Sequence, residues 1–196
     1  MTKFMEFLGG LVTSYWCHWS NLRFKKKERF STELLEDDKV KTVAEIKSLV
    51  KKLIRTFTWT ADGVDQLWDA ILPPPEMYKS WKENQLTVGD CDDFHSLIYH
   101  CLYNCGIECH LLSANATKGD SGHCILIFKL NDLWHVVDYG TVYNGFSTAK
   151  ESIENYNEIY LRKYDCKPGS KVFFNGLVDY NYTTGKFKNN RVSNLK

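Results

Sequence analysis

Hydrophobic residues between Thr42 and Phe57 recur at steps of three and four, the spacing of one face of a helix. Lysines and Arg55 occupy the positions between them, so one face is predicted to be buried and the other solvated. Thr42 and Glu45 have the spacing of a capping box, which predicts that the helix begins here. The apolar positions of this helix are Val43, Ile46, Leu49, Val50, Leu53, Ile54 and Phe57.

Residues 4–19 are also apolar, but Glu6, His18 and the short length argue against a membrane span. The segment lacks the strongly basic start and the small-residue cleavage site of a signal peptide. It is therefore predicted to be a helix with a buried face. The basic run at residues 23–29 that follows is predicted to be a solvated connector.

Beyond the capped helix, residues 59–62 are predicted to be a break and residues 63–72 a short second helix. Three consecutive prolines at residues 73–75 are expected to end that helix, because proline has no amide hydrogen to donate. Residues 76–83 are predicted to add one or two helical turns. The first half of the chain is therefore predicted to be helical.

The second half begins with a helix at residues 91–105, which has Asp90 as its N-cap and Gly106 as its terminator. Its apolar stripe comprises Phe94, Leu97, Ile98, Cys101 and Leu102. Period-two patterns then predict strands at residues 107–114, 123–130 and 133–139, with a loop at 115–122 and a hairpin turn at Asn131-Asp132.

Three further elements are predicted after residue 140. A capping box formed by Thr148 and Glu151 predicts a short helix to about residue 156. Residues 172–174 and 177–180 are predicted to form a last hairpin, and the polar residues 181–196 a loose end.

Composition places the chain among soluble globular proteins, since 43% of its 196 residues are hydrophobic and 25% are charged. A formal net charge of +1 provides no overall field for nucleic acid or for an anionic membrane. The seven cysteines are odd in number, and their spacing shows no disulfide framework. The sequence also shows no export signal. Free thiols in a reducing compartment, and so a cytoplasmic location, are the expectation.

Cys91, His123 and Asp138 are the candidates for a nucleophilic site. Cys91 directly follows an N-cap, where the helix dipole and the unpaired amides favour both a thiolate and an oxyanion. The adjacent Asp92 and Asp93 oppose a free thiolate, so close pairing with an imidazolium is expected instead.

The predicted hairpin allows a test of this cluster on paper. If Asn131-Asp132 is a two-residue turn, His123 and Asp138 lie on the same sheet face as diagonal neighbours. A four-residue loop keeps this parity, whereas a three-residue loop puts the two side chains on opposite faces. The even-numbered loop would let Asp138 orient the His123 ring while the other ring nitrogen meets Cys91.

Two other interpretations remain open. Each of the three residues has an ordinary structural role: a buried thiol, a hydrogen-bonded strand histidine and a turn aspartate. Cys101, Cys105 and the pair Cys109-His110 suggest a zinc site, but the chain contains no Cys-x-x-Cys. Packing is the better account of these residues, and no metal or cofactor is predicted.

Three motifs resemble the core of the transglutaminase-like superfamily of papain-like cysteine enzymes: the sequence GDCDDF at residues 89–94, Gly-His at 122–123, and Trp134 followed by Asp-Tyr-Gly at 138–140. The group includes transglutaminases, bacterial transglutaminase-like cysteine peptidases and peptide N-glycanases. The resemblance covers residues 40–145.

The resemblance implies that Cys91 is the nucleophile, His123 the base and then the acid, and Asp138 the orienting group. It also suggests Gln85, six residues before the cysteine, or Trp81 as an oxyanion donor. An acidic calcium-loop pattern is missing from the sequence, and the chain is too short for the extra β domains of animal transglutaminases. A cross-linking activity is therefore less favoured.

The sequence thus predicts one α+β domain over residues 1–196 with a papain-like core at about 40–145. The nucleophile is expected on a central helix packed on an antiparallel sheet, with extensions at 1–40 and 146–196. The predicted function is cysteine-dependent hydrolysis of a protein or peptide amide. The alternatives are transglutaminase-type acyl transfer to an amine and a non-catalytic binding module on the same fold.

Overall fold

A computed structural model describes residues 3–23, 34–60, 71–116, 122–164, 166–190 and 195. Residues 24–29 of the predicted connector and 63–70 of the predicted second helix lie outside this part of the chain. The helices of the described part are α1 (Lys3–Arg23), a short 3-10 turn (Glu36–Asp38), α2 (Val43–Arg55), α3 (Pro74–Asn84), α4 (Cys91–Asn104) and α5 (Ala149–Lys163).

The helix with the clearest hydrophobic period, α2, begins as its sequence predicts. Thr42 Oγ1 accepts a hydrogen bond from the Glu45 amide at 3.2 Å, and the Glu45 carboxylate accepts one from the Thr42 amide at 2.9 Å. This reciprocal pair satisfies two amides that have no carbonyl partner within the helix. The buried side chains of α2 are Ile46, Leu49, Val50 and Leu53, four of the predicted apolar positions.

In the part of the chain that the structure describes, six strands form one antiparallel sheet, so the fold is α+β. In chain order they are β3 (Glu108–Ala116), β4 (His123–Leu130), β5 (Leu133–Asp138), β6 (Thr141–Phe146), β7 (Val172–Asn181) and β8 (Lys186–Asn190). Their order across the sheet is β6-β5-β4-β3-β7-β8. Two further strands, β1 (Phe57–Trp59) and β2 (Thr87–Gly89), form a separate parallel pair.

The turn between β4 and β5 has two residues, as predicted. Leu130 pairs with Leu133, and Asn131 and Asp132 both have positive φ values, 52° and 60°. Both residue types tolerate this left-handed conformation, which matches the twist of the flanking strands. The predicted register of the hairpin is therefore confirmed.

Helices cover both faces of the large sheet. On one face α2, α3 and α4 pack over residues of β3, β4 and β7 in a single core that includes Trp81, Phe94 and Phe128. On the other face α5 packs over β4 and β5, with Tyr156 against a core that includes Trp134. α1 packs along β7 and β8, and the Asn21 side chain both donates to and accepts from the Phe187 backbone.

Pro74 and Pro75 occupy the first turn of α3, where an amide hydrogen has no carbonyl partner anyway. The helix that the prolines were predicted to end falls mainly on residues 63–70, outside the described residues. Two local predictions after residue 170 were wrong. Residues 172–181 form one continuous strand instead of a hairpin, with the register shifting between Phe174 and Gly176. The predicted loose end contains β8, which pairs with β7. No helix among the described residues is long and apolar enough to cross a membrane.

Candidate active site

Cys91 is the first residue of α4, directly after the N-cap Asp90. Asp90 Oδ1 accepts a hydrogen bond from the Asp92 amide at 3.1 Å, which fixes the first turn of the helix. The amides of this turn have no carbonyl partner within the helix, and their partial positive charge favours an anion next to them. Cys91 is half-buried and is the first residue of this turn, next to these amides.

Gly89, before the N-cap, allows the chain to approach α4 closely. A Cβ atom at this position would lie 2.6 Å from Cβ of Asp93, a separation that two carbon atoms do not adopt. Gly89 is also the last residue of β2 and pairs with Trp59 of β1. The parallel strand pair and the glycine together place the start of α4.

His123 and Asp138 form the contact that the hairpin register predicts. His123 Nε2 lies 2.8 Å from Asp138 Oδ1, and both side chains are buried. The amide of Cys124, the residue after His123, donates to Cys91 Sγ at 3.3 Å. Cys91 is thus hydrogen-bonded to β4, the strand that begins with His123. This contact lies at the end of the sheet where β5 ends with Asp138.

Asp138 is ionised in this environment. Burial alone would raise the pKa of its carboxyl group, but the hydrogen bond and charge of His123, followed by the hydrogen bond of Lys163, hold that pKa well below its usual range. The carboxylate has no solvent exposure. Its charge is therefore compensated by these neighbours instead of by water.

His95 connects the first turn of α4 to the turn after β5. Its Nδ1 lies 2.5 Å from the Cys91 carbonyl oxygen, and its Nε2 accepts a hydrogen bond from the Tyr139 amide at 3.1 Å. Because Nε2 is an acceptor, the ring proton is on Nδ1 and is donated to Cys91. Complete burial, and then the positive charge of His123, lower the pKa of His95 to about 4. The ring is therefore neutral at physiological pH and holds the two turns together.

The C-terminal end of α5 contributes two residues that the sequence analysis missed. Lys163 Nζ donates to Asp138 Oδ2 at 2.5 Å, and the Tyr164 hydroxyl donates to Asp138 Oδ1 at 2.9 Å. The predicted helix ended near residue 156, whereas α5 extends to Lys163. A usable signal was present, because the buried residues Ile153, Tyr156 and Tyr160 continue the helical spacing.

The two predicted oxyanion donors have other partners. Gln85 is exposed in the left-handed conformation that ends α3, and its Nε2 donates to the Lys82 carbonyl at 3.0 Å. Trp81 is fully buried, and its Nε1 donates to Thr56 Oγ1 at 3.0 Å. These contacts give both side chains a structural role at the end of α3.

Cys101, Cys105 and Cys109 are poor candidates for metal ligands. Cys101 and Cys109 are buried, and burial raises the pKa of both thiols. Cys105 accepts a hydrogen bond from the Val40 amide. Among the described residues, Asp90, Cys91 and Asp92 bring one potential ligand atom each within 4.8 Å of one another, but Asp90 already serves as the cap of α4. We assign no metal to this group.

No protein-family model matches the sequence, and no curated protein matches it. Chains of solved structures do match. Legionella pneumophila LapG in its calcium-bound form has a TM-score of 0.44 and 18% identity over 65% of this chain and 75% of that one. The EGTA-treated form has the same score and identity over 82% of each chain.

A candidate cysteine protease from Cytophaga hutchinsonii matches with a TM-score of 0.40 and 11% identity. The match covers 90% of this chain but spans only 50% of that protein. Because every TM-score is below 0.5, the function of this chain has to be inferred from the geometry of its own site.

Proposed function

We propose that this chain is a cysteine-dependent hydrolase that cleaves an amide bond of a protein or peptide through an acyl-enzyme. The observation that carries the proposal is the joint placement of three side chains. His123 is bonded to the buried Asp138 at 2.8 Å, while the neighbouring amide of Cys124 donates to the Cys91 sulfur at 3.3 Å. Nucleophile, base and orienting carboxylate are the parts that acyl transfer requires.

In the first half of the reaction Cys91 Sγ attacks the amide carbonyl carbon. The thiol proton passes to His123 Nδ1, the ring nitrogen that does not face Asp138, and the resulting imidazolium is stabilised by the buried carboxylate. The tetrahedral oxyanion is stabilised by amides of the first turn of α4, including that of Cys91. Collapse breaks the carbon–nitrogen bond as His123 donates its proton to the leaving amine, and a thioester remains.

In the second half water attacks the thioester and His123 accepts a proton from it. Collapse of the second tetrahedral intermediate releases the carboxylic acid and returns the Cys91 thiol. Transfer to a primary amine uses the same thioester with the amine in place of water. We propose hydrolysis as the fate of the thioester, with transfer to an amine as the alternative.

Alkylation with iodoacetamide near neutral pH tests the proposal. Peptide mass spectrometry would give the extent of modification of each of the seven cysteines after a short exposure. We expect Cys91 to react first, since the dipole of α4 and the Cys124 amide favour its thiolate. Even labelling of all accessible cysteines would contradict the proposal and favour a non-catalytic binding module.

A second assay separates the two fates of the thioester. The protein would be incubated with a glutamine-containing protein and a fluorescent primary amine, with Cys91→Ala as the control. We expect no amine incorporation above that control. Incorporation that depends on Cys91 would show that the thioester is transferred to an amine and not hydrolysed. Cys91 would still be the nucleophile in that case.

A further inference from the structure

The carboxylate of Asp138 is shared by three donors from two elements. His123 and the Tyr164 hydroxyl both contact Oδ1, at 2.8 and 2.9 Å, and the Lys163 ammonium contacts Oδ2 at 2.5 Å. The Tyr164 oxygen also lies 2.8 Å from His123 Nε2. The Tyr164 hydroxyl therefore contacts both the His123 ring and the Asp138 carboxylate. The contact with His123 uses Oδ1 alone, so the Lys163 ammonium on Oδ2 is an additional feature of the site.

The ammonium of Lys163 changes what Asp138 can do for His123. A buried carboxylate attracts the imidazolium form of a histidine bonded to it. A cation on the same carboxylate weakens that attraction and also repels the imidazolium directly. The carboxylate is fully buried, whereas the Lys163 side chain is 35% exposed, so solvent screens part of the repulsion. Lys163 therefore reduces the stabilisation that Asp138 gives to the imidazolium form of His123.

Other charges near the ring do not oppose this effect. Several titratable groups surround His123 and Asp138, and the tyrosines and His95 among them are neutral at physiological pH. Burial is the main cause, since it raises the pKa of each nearby tyrosine and lowers that of His95. The groups are Cys91 and His95 of α4, Tyr139 and Tyr143 after β5, Tyr156, Tyr160 and Lys163 of α5, and Tyr164.

We propose that Lys163 and Tyr164 are positioning residues of the site: Lys163 limits how strongly Asp138 stabilises the His123 imidazolium, and Tyr164 fixes the ring against the carboxylate. The proposal rests on the function proposed above, in which His123 first accepts a proton and then returns it to a leaving amine. A histidine held too firmly in its protonated form is a poor general acid. A cation on the aspartate makes the second transfer easier.

The test follows the titration of the His123 ring by NMR, with Cys91→Ala as the background so that no thiolate contributes. We expect Lys163→Met to move the midpoint upward by about one pH unit, since it removes a cation from the shared carboxylate. Lys163→Gln, which keeps a donor without the charge, should move it in the same direction and serves if the methionine variant does not fold. Lys163→Arg, which keeps the charge, should restore the original midpoint.

Lys150→Met is the matched control, because Lys150 is on the same helix but pairs with Glu154 on the surface. Tyr164→Phe should move the midpoint upward by less than Lys163→Met, because it removes a neutral donor. Midpoints of the Lys163→Met and Lys163→Gln variants that match that of Lys150→Met would overturn the proposal. The titration is independent of alkylation, so a failed nucleophile assignment is visible separately as even labelling of the cysteines.

Discussion

Two groups of a cysteine, a histidine and an aspartate can be compared among the described residues: the proposed site, Cys91, His123 and Asp138, and a second set elsewhere on the sheet. The second set is Cys109, His110 and Asp179, in which His110 Nδ1 lies 2.5 Å from Asp179 Oδ1. This contact is shorter than the 2.8 Å between His123 and Asp138. A paired histidine and aspartate alone therefore do not distinguish the two sets.

The difference lies in the cysteine. Cys109 is in the middle of the sheet on β3, is buried, and contacts the Tyr99 carbonyl through its sulfur. Burial, followed by the charge of Asp179, raises the pKa of its thiol well above the ordinary value. Adjacent residues of a strand point to opposite faces, so Cys109 also faces away from His110. Cys91 instead has a helix N-terminus and an amide donor beside its sulfur.

Replacing each histidine by alanine should separate the sets most clearly. We expect His123→Ala to slow alkylation of Cys91 by about 100-fold or more, the contribution of a positioned general base. His110→Ala should leave the rate close to that of the unaltered protein. The measurement is the second-order rate constant for iodoacetamide at Cys91. Equal losses in the two variants would mean that stability, and not proton transfer, controls the reaction.

The two aspartates provide the next contrast. Asp138→Asn should lower the Cys91 alkylation rate by about tenfold, because a neutral amide stabilises the imidazolium less than a carboxylate does. Asp179→Asn, a substitution of the same chemistry in the other set, should have no effect on that rate. The same rate constants provide the comparison. A slower reaction in Asp179→Asn would show that the two sets are coupled.

The second set should instead influence stability, with a pH dependence set by His110. Burial would lower its pKa, but the hydrogen bonds and charges of Asp179 and Glu108 raise it above the ordinary value. The stabilisation is therefore fully present below the unfolded pKa of about 6.5 and is lost as the pH rises through the folded pKa. Asp179→Asn should cost about 1–3 kcal/mol at about pH 5 and less at alkaline pH.

Urea unfolding at an acidic and an alkaline pH measures this difference. Glu154→Gln is the control, because Glu154 forms an exposed pair with Lys150 and should show no comparable pH dependence. A cost for Asp179→Asn that grows with pH would have the opposite sign and would exclude the charged His110 as the source of the stabilisation.

The smallest expected effect concerns Asp90, the N-cap of the helix that begins with Cys91. Asp90→Ala removes the bond to the Asp92 amide and should cost about 1 kcal/mol of stability. Thr42→Ala removes the corresponding bond of α2 at a similar cost. Only Asp90→Ala should also slow alkylation of Cys91, because only that cap holds the turn with the nucleophile. Slower alkylation in both variants would point to a general loss of structure.

The parts of the fold that could be predicted were those governed by local rules. The start of α4 follows from the N-cap preference of Asp90, and the pairing of His123 with Asp138 follows from a two-residue turn and the period of a strand. Both signals involve residues close together in the sequence. The positions of the nucleophile, histidine and aspartate candidates therefore needed no knowledge of distant contacts.

Contacts that join distant segments could not be predicted. The strands β1 and β2 have only three residues each, so their parallel pairing leaves no pattern in the sequence. His95 was assigned no role, since its partner Tyr139 lies 44 residues away. The length of α5 was underestimated because the prediction used the capping residues at its start and not the apolar spacing that continues to Tyr160. Lys163 and Tyr164 were missed for that reason. The side chains around Asp138 were thus missed, although its contact with His123 was predicted.

The most direct test of the proposed activity is the detection of the acyl-enzyme. The protein would be mixed with p-nitrophenyl acetate, quenched with acid, digested and analysed by mass spectrometry, with Cys91→Ala and Cys109→Ala in parallel. We expect one acetyl group on Cys91 in the unaltered protein and in Cys109→Ala, and none on that peptide in Cys91→Ala. Acetyl groups spread over other residues, or their absence from Cys91, would contradict a nucleophilic Cys91.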